Sequence, residues 1–297
     1  MSPKNSFEIR ISRAVIEFPL TDKPFAHESP FSPDDVLAGL QPSLVRSSGP
    51  GRIALTVNNQ HAVLRFYGSE RIGSDRTPVI YLAGDVVQHV VGKVIVRSDY
   101  RELSPEILQI EAGEIAARYN RTFVHLARPG IFGSSGHHLH RRRKHEIDLV
   151  NQAITRLAKG FSWNKIDLVG LSGGGHIVAC LMARRNDIRR VVIASGNLAV
   201  KQRNADRGLT ADVTGFDDFV DPIELVDQVA EHQPEQVTLL TDPDDTIVRA
   251  RFQTAYATEM RAAGCRIEQK YVVSNENTHH ILFRESIEEI FASVIRP

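Results

Sequence analysis

From residue 78 onward the chain carries short, unbroken apolar runs: PVIYLAG (78–84), TFVHLA (122–127), KIDLVGL (165–171), RRVVIAS (189–195), QVTLLT (236–241) and RIEQKYVV (266–273). Runs of this length, rich in Val, Ile and Leu and without strict alternation, are how strands buried on both faces read. Between them, ILQIEAGEIAARYN, HEIDLVNQAITRLAKG and VRARFQTAYATEMRAAG repeat apolar residues at helical spacing, with Ile147, Val150, Ile154 and Leu157 on one face of the second. Repeated strand–helix alternation predicts an α/β fold with a doubly wound, mostly parallel sheet.

Upstream, FEIRISRAVIEF (7–18) and RIALTVNNQHAVLRFYG (52–68) are strand-rich, and the Pro/Ser/Gly-rich texts TDKPFAHESPFSPDD and QPSLVRSSGPG read as loops. Residues 196–235 break the rhythm with polar, Asp-rich text containing only short helical candidates such as PIELVDQVAEH. They are expected to form a small cap insertion, to whose underside Leu198, Val200, Leu209, Val213, Phe216, Phe219 and Val220 would lend apolar contact. With no internal repeat and no linker, residues 1–297 are expected to form a single domain around that insertion.

At 297 residues the chain is long enough to bury a full core. Thirty-six Lys plus Arg balance thirty-six Asp plus Glu, so no net field favours nucleic acid or an anionic membrane. No run of eighteen apolar residues occurs, and the opening MSPKNSFEIRISRAV has no apolar stretch followed by a small-residue cleavage site. A cytoplasmic protein is therefore expected. Cys180 and Cys265 are the only cysteines and support neither a disulfide framework nor a thiolate metal site.

The chemistry concentrates in KIDLVGLSGGGHIVACLM (165–182), where Gly170-Leu171-Ser172-Gly173-Gly174 forms G-x-S-x-G between an apolar strand and a helix whose apolar face is Ile177, Val178, Leu181 and Met182. A serine on a sharp strand-to-helix turn needs small neighbours where backbones pass closely. The turn exposes its hydroxyl and aims the first helical amide, that of Gly173, at an oxygen that becomes negative during attack. Serine is a poor nucleophile unaided, so a histidine base and an orienting acid are required. Downstream come DPDDTIV, with Asp242, Asp244 and Asp245 just past a strand, and SNENTHHILF, with His279 and His280 after the last strand.

This order of motifs resembles the α/β-hydrolase family over residues 78–297, on the esterase and prolyl-oligopeptidase-like side. The resemblance implies an α/β-hydrolase-type fold and a serine hydrolase cleaving a carboxylic ester, or else a thioester or amide. Asp245-Thr246-Ile247-Val248 matches the family's acid loop, making Asp245 the first choice ahead of Asp244 and Asp242. His280-Ile281-Leu282 matches its histidine loop, with His279 standing where the family commonly has glycine and so remaining the alternative base. The second oxyanion donor would be the amide of Asp85 in Ala83-Gly84-Asp85-Val86, where a carboxylate departs from the family pattern and must be turned away or paired. Gly84, Val86 and Arg128 are the expected substrate-binding residues.

No metal or organic cofactor is implied, and the expected partner is a small acyl substrate, with a homodimer compatible and no nucleic acid or membrane. A peptidase and a non-catalytic ligand-binding protein are the alternatives. One segment is unassigned: residues 127–146 crowd His137, His138, His140, Arg141, Arg142, Arg143, Lys144 and His145 together, and read either as a solvated helix entry or as an anion-recognising rim, a metal site lacking its remaining ligands. His176, one turn after Ser172, reads as a packing or hydrogen-bonding residue.

Overall fold

The structure, a computed structural model, describes residues 6–11, 14–19, 29–45, 51–68, 76–90 and 93–292, the first two spans as backbone only. Along the chain run β1 (Ser6–Ile11), β2 (Ala14–Pro19), α1 (Pro33–Ala38), β3 (Arg52–Val57), β4 (Gln60–Gly68), β5 (Val79–Leu82), β6 (Val87–Val90), β7 (Lys93–Val96), α2 (Pro105–Tyr119), β8 (Phe123–Leu126), α3 (Lys144–Gly160) and β9 (Ile166–Leu171). These are followed by α4 (Gly173–Met182), β10 (Ile188–Ala194), α5 (Val200–Asp206), α6 (Val226–Glu231), β11 (Gln236–Thr241), α7 (Ala250–Ala262), β12 (Ile267–Tyr271) and α8 (Phe283–Ala292). Each of the six apolar runs coincides with one strand, to within a residue or two at the ends. The loop readings of residues 21–28 and 46–50 lie outside the described residues.

The chain divides into two compact units, one of residues 1–78, 86–141 and 148–164, the other of residues 79–85, 142–147 and 165–297. In the first, β1, β2, β3, β4 and β8 pair antiparallel in that order. The run of residues 7–18 is thus two strands. Asn58 and Asn59, both at positive φ, make the tight turn between β3 and β4, a conformation Asn tolerates better than most residues. The Pro/Ser text before them also conceals α1, which begins with Pro33 and is capped by the Ser32 hydroxyl accepting from the Asp34 amide. Helix α2 packs on β4 and β8, and the four apolar residues read onto one face of α3 are all fully buried.

The second unit is built on five parallel strands in the order β5-β9-β10-β11-β12. Every residue of β9 is buried, as is every residue of α4. A helix that is apolar all round is one covered all round. It packs on β5, β9 and β10, while α8 packs on β9 and β10 and α7 on β11 and β12. The parallel registers align Leu171 with Ala194, Ala194 with Leu240, and Thr241 with Tyr271, so these strands end level and the loops that follow β9, β11 and β12 leave from one edge. Residues 196–235 hold α5, a 3-10 turn at Pro222–Leu225 and α6, joined by irregular chain. No helix among the described residues is long and apolar enough to cross a membrane.

Candidate active site

Ser172 sits between β9 and α4 at φ 52° and ψ −113°. A non-glycine residue in this region is strained, and the surroundings hold it there: its amide donates to Ala194 O at 2.8 Å and its carbonyl accepts from the His176 amide at 3.1 Å. From Ile166 to Ala183 it is the one residue that is not buried. The glycines follow from closeness. A methyl group at Gly174 would collide with the Leu82 carbonyl, and one at Gly84 would fall 3.2 Å from Ser172 Cβ. Gly84 therefore lets the loop after β5 lie directly against the serine. Gly173 opens α4, where first-turn amides have no acceptor within the helix.

The acid and histidine loops leave the ends of β11 and β12 and are joined by the Thr246 amide donating to Thr278 O at 3.0 Å. His280 Nδ1 lies 2.8 Å from Asp245 Oδ2, with both side chains buried. The other Asp245 oxygen accepts the amides of Ile247 and Val248, each at 2.8 Å, so the carboxylate is held rigidly. His279 makes a separate pair, Nδ1 to Asp242 Oδ2 at 3.1 Å, and is about one-third exposed. Asp242 is committed to the backbone, accepting the Asp244 amide at 2.9 Å and the Ser274 amide at 2.6 Å. Burial works against its charge, but those amides and His279 prevail and hold its carboxyl below the usual range. Asp242, Asp244 and His279 are the only grouping of potential metal donors among the described residues, and the backbone amides already engage both oxygens of Asp242.

Two residues to which the sequence reading gave no role at the site hold loops in place. Glu276 Oε1 accepts the His280 amide at 2.5 Å, the Ile281 amide at 3.1 Å and the Thr278 hydroxyl at 2.6 Å, and Oε2 accepts the Thr278 amide at 2.9 Å. Its carboxylate thus folds the histidine loop around itself. Partial burial opposes its charge and these donors outweigh it, bringing its pKa down to about 2. Because the folded value lies below the unfolded one, its contribution to stability is present above pH ~4.5 and is lost as pH falls toward 2. Glu276→Gln is expected to flatten the acid limb of a stability-against-pH curve in this interval; a curve superimposable on the parent's would contradict the role.

The second is Arg142, from the unassigned basic segment. It is buried, at φ 66°, and binds Asp85 Oδ2 at 2.7 Å through Nη1 and Asp212 at 2.7 and 3.1 Å through Nη2 and Nε. The carboxylate that departs from the family pattern beside Gly84 is therefore paired. Burial alone would lower the Arg142 pKa, but the two carboxylates raise it, while Asp212, against its own burial, is brought down to about 2 by Arg142 and Thr214. Arg143 pairs with Asp218 at 2.6 Å and lies over the Phe216 ring, and Arg141 contacts His89. The two readings fail for part of the segment: Arg141 and Arg142 are buried rather than solvated, and Arg142 is spent on carboxylates of this chain, whereas His140 and Lys144 are exposed.

Of the remaining expected residues, Val86 is buried and accepts the Arg97 amide, and Arg128 is fully buried in the loop after β8; both belong to the first unit. His176 Nε2 lies 2.8 Å from Val220 O, inside the packed helix. No family model matches the chain, and no curated protein matches its sequence. Similar solved structures include an esterase of Pyrococcus furiosus (14% identity, TM-score 0.57, covering 90% of this chain and 97% of that one). A lipase-esterase related protein of Clostridium acetobutylicum is also similar (13%, 0.52, 78% and 98%). So is an acylaminoacyl peptidase of Pyrococcus horikoshii (13%, 0.53, 82% of this chain but 39% of that one). At these identities the likeness establishes the fold: an α/β-hydrolase-type, mostly parallel sheet with helices.

Proposed function

We propose that this chain is a serine hydrolase that cleaves a carboxylic ester through an acyl-enzyme at Ser172. The Ser172 Oγ attacks the carbonyl carbon while His280 Nε2 takes its proton, and Asp245 accepts the Nδ1–H, fixing the tautomer and balancing the imidazolium charge. The tetrahedral oxygen receives hydrogen bonds from the Gly173 and Asp85 amides, each donor of this kind contributing about 2.7–4 kcal/mol. Collapse expels the alcohol with the proton from His280, and water, deprotonated by the same histidine, then releases the acid. Gly84 borders the oxyanion loop.

The observation that carries this reading is Ser172 itself, strained at φ 52° and the sole unburied residue in an otherwise buried stretch. Strain of this kind persists where function requires it. An ester is favoured over a peptide because the esterase-named structures match nearly full length, whereas the peptidase matches over 39% of its chain.

A fluorophosphonate probe tests it. Labelling confined to the Ser172 peptide is expected, and folded protein that takes no label would refute an activated serine. His280→Ala is expected to lower kcat at least a thousandfold, against less than tenfold for His279→Ala, since the buried pair belongs to His280. The reverse ranking would transfer the base to His279.

A further inference from the structure

The segment after β10 holds a concentration of buried polar atoms without partners among the described residues: Ser195 Oγ, Asn197 Oδ1, Arg203 Nε, and both Nδ2 and Oδ1 of Asn204. Native interiors leave few such atoms, so several within ten residues call for partners from outside the chain, either ordered water or a ligand. The segment adjoins the serine, since the Asn197 amide lies 3.4 Å from Ser172 O. It is also firmly held: Asp221 accepts the Val200 and Lys201 amides at 2.9 and 2.8 Å at the start of α5.

Arg203 is 8% exposed, and among the described residues its guanidinium makes one hydrogen bond, from Nη2 to Ile247 O at 3.2 Å, on the loop that carries Asp245. Its charge also interacts with Asp85, on the loop that lies against Ser172, and with Asp212, Arg142 and Arg207. Asp85 and Asp212 are both bound by Arg142. Arg203 and Arg142 thus share two carboxylates that Arg142 already engages. A buried guanidinium without a counter-ion is costly, and arginine does not escape by losing its proton. An anion brought by the substrate would complete the set.

We infer that Arg203, with Asn204 beside it on α5, forms an anion subsite of this active centre, and that the substrate is an ester carrying a negatively charged group such as a carboxylate. The inference rests on the serine-hydrolase reading and specifies its substrate class. It also moves anion recognition from the histidine-rich loop, where Arg142 is occupied, to the insertion.

Two matched pairs of esters test it on the intact protein: monomethyl succinate against methyl valerate, which places the charge on the acyl side, and para-carboxyphenyl acetate against phenyl acetate, which places it on the leaving group. In one pair the charged ester is expected to have at least a tenfold higher kcat/KM. That ratio should fall to near one in Arg203→Gln and be partly kept in Arg203→Lys. No charge preference in either pair, measured on the unaltered protein, overturns the subsite while leaving the hydrolase standing. A preference that survives Arg203→Gln removes Arg203 from it. Turnover of none of the four esters overturns the hydrolase reading and the subsite with it.

Discussion

Ser172→Ala is expected to lower ester turnover by roughly 10⁶-fold, the scale on which such triads lose activity when their serine is removed. The expected change in thermal stability is small, because the hydroxyl is accessible and the residue's structural bonds come from its backbone. Ser172→Gly separates strain from chemistry. At φ 52° and ψ −113° a side chain costs about 1–3 kcal/mol, which glycine would relieve. Against this stands about 0.5–1 kcal/mol of extra freedom in the unfolded chain. The balance favours a net gain of up to about 2 kcal/mol, a rise of a few degrees in Tm, with activity as low as in the alanine variant. Comparison of Ser172→Gly with Ser172→Ala by thermal unfolding reads this directly. A glycine variant less stable than the alanine variant would show that the turn is not strained, and an alanine variant retaining turnover would place the nucleophile elsewhere.

The serine was legible in the sequence because everything that makes it is local. An apolar strand, four glycines and an apolar helix lie within eighteen residues, and at Gly170 and Gly174 neighbouring backbone leaves no room for a side chain. The histidine and acid loops were legible through their order along the chain, and the geometry pairs His280 with Asp245 and gives His279 a partner of its own in Asp242. What escaped was non-local or disguised. Glu276 looked like loop polarity, since nothing in SNENTHH shows that one carboxylate collects four donors. Helix α1 passed as a loop because its signals, a serine cap and an N-terminal proline, are also those of turns, and six residues carry too little periodicity to decide. Arg142 lay in a cluster whose charge suggested water, yet its partners are 57 and 70 residues away in the chain, a pairing that only folding reveals.

Arg142→Met is therefore the substitution with the largest expected effect on stability. It leaves Asp85 and the fully buried Asp212 side chain without their cation, and breaking a buried pair from one side costs about 3–5 kcal/mol. For a chain of this size that corresponds to a fall in Tm of roughly 10 °C. The penalty should grow as pH rises from ~2 to ~5, because Asp212 is held ionised by the arginine and is neutral only in acid. The triple variant Arg142→Met, Asp85→Asn, Asp212→Asn distinguishes an uncompensated charge from lost packing: neutralising both carboxylates is expected to recover most of the loss, whereas a packing defect would persist. Activity provides a second readout. Asp85 follows the glycine that lies against Ser172, so an unpaired carboxylate there would oppose negative charge developing on the substrate oxygen. The single variant should lose kcat beyond what its folded fraction explains, and the triple variant should regain part of it. Equal specific activity of the folded fraction in all three proteins would leave Arg142 a stabilising residue alone.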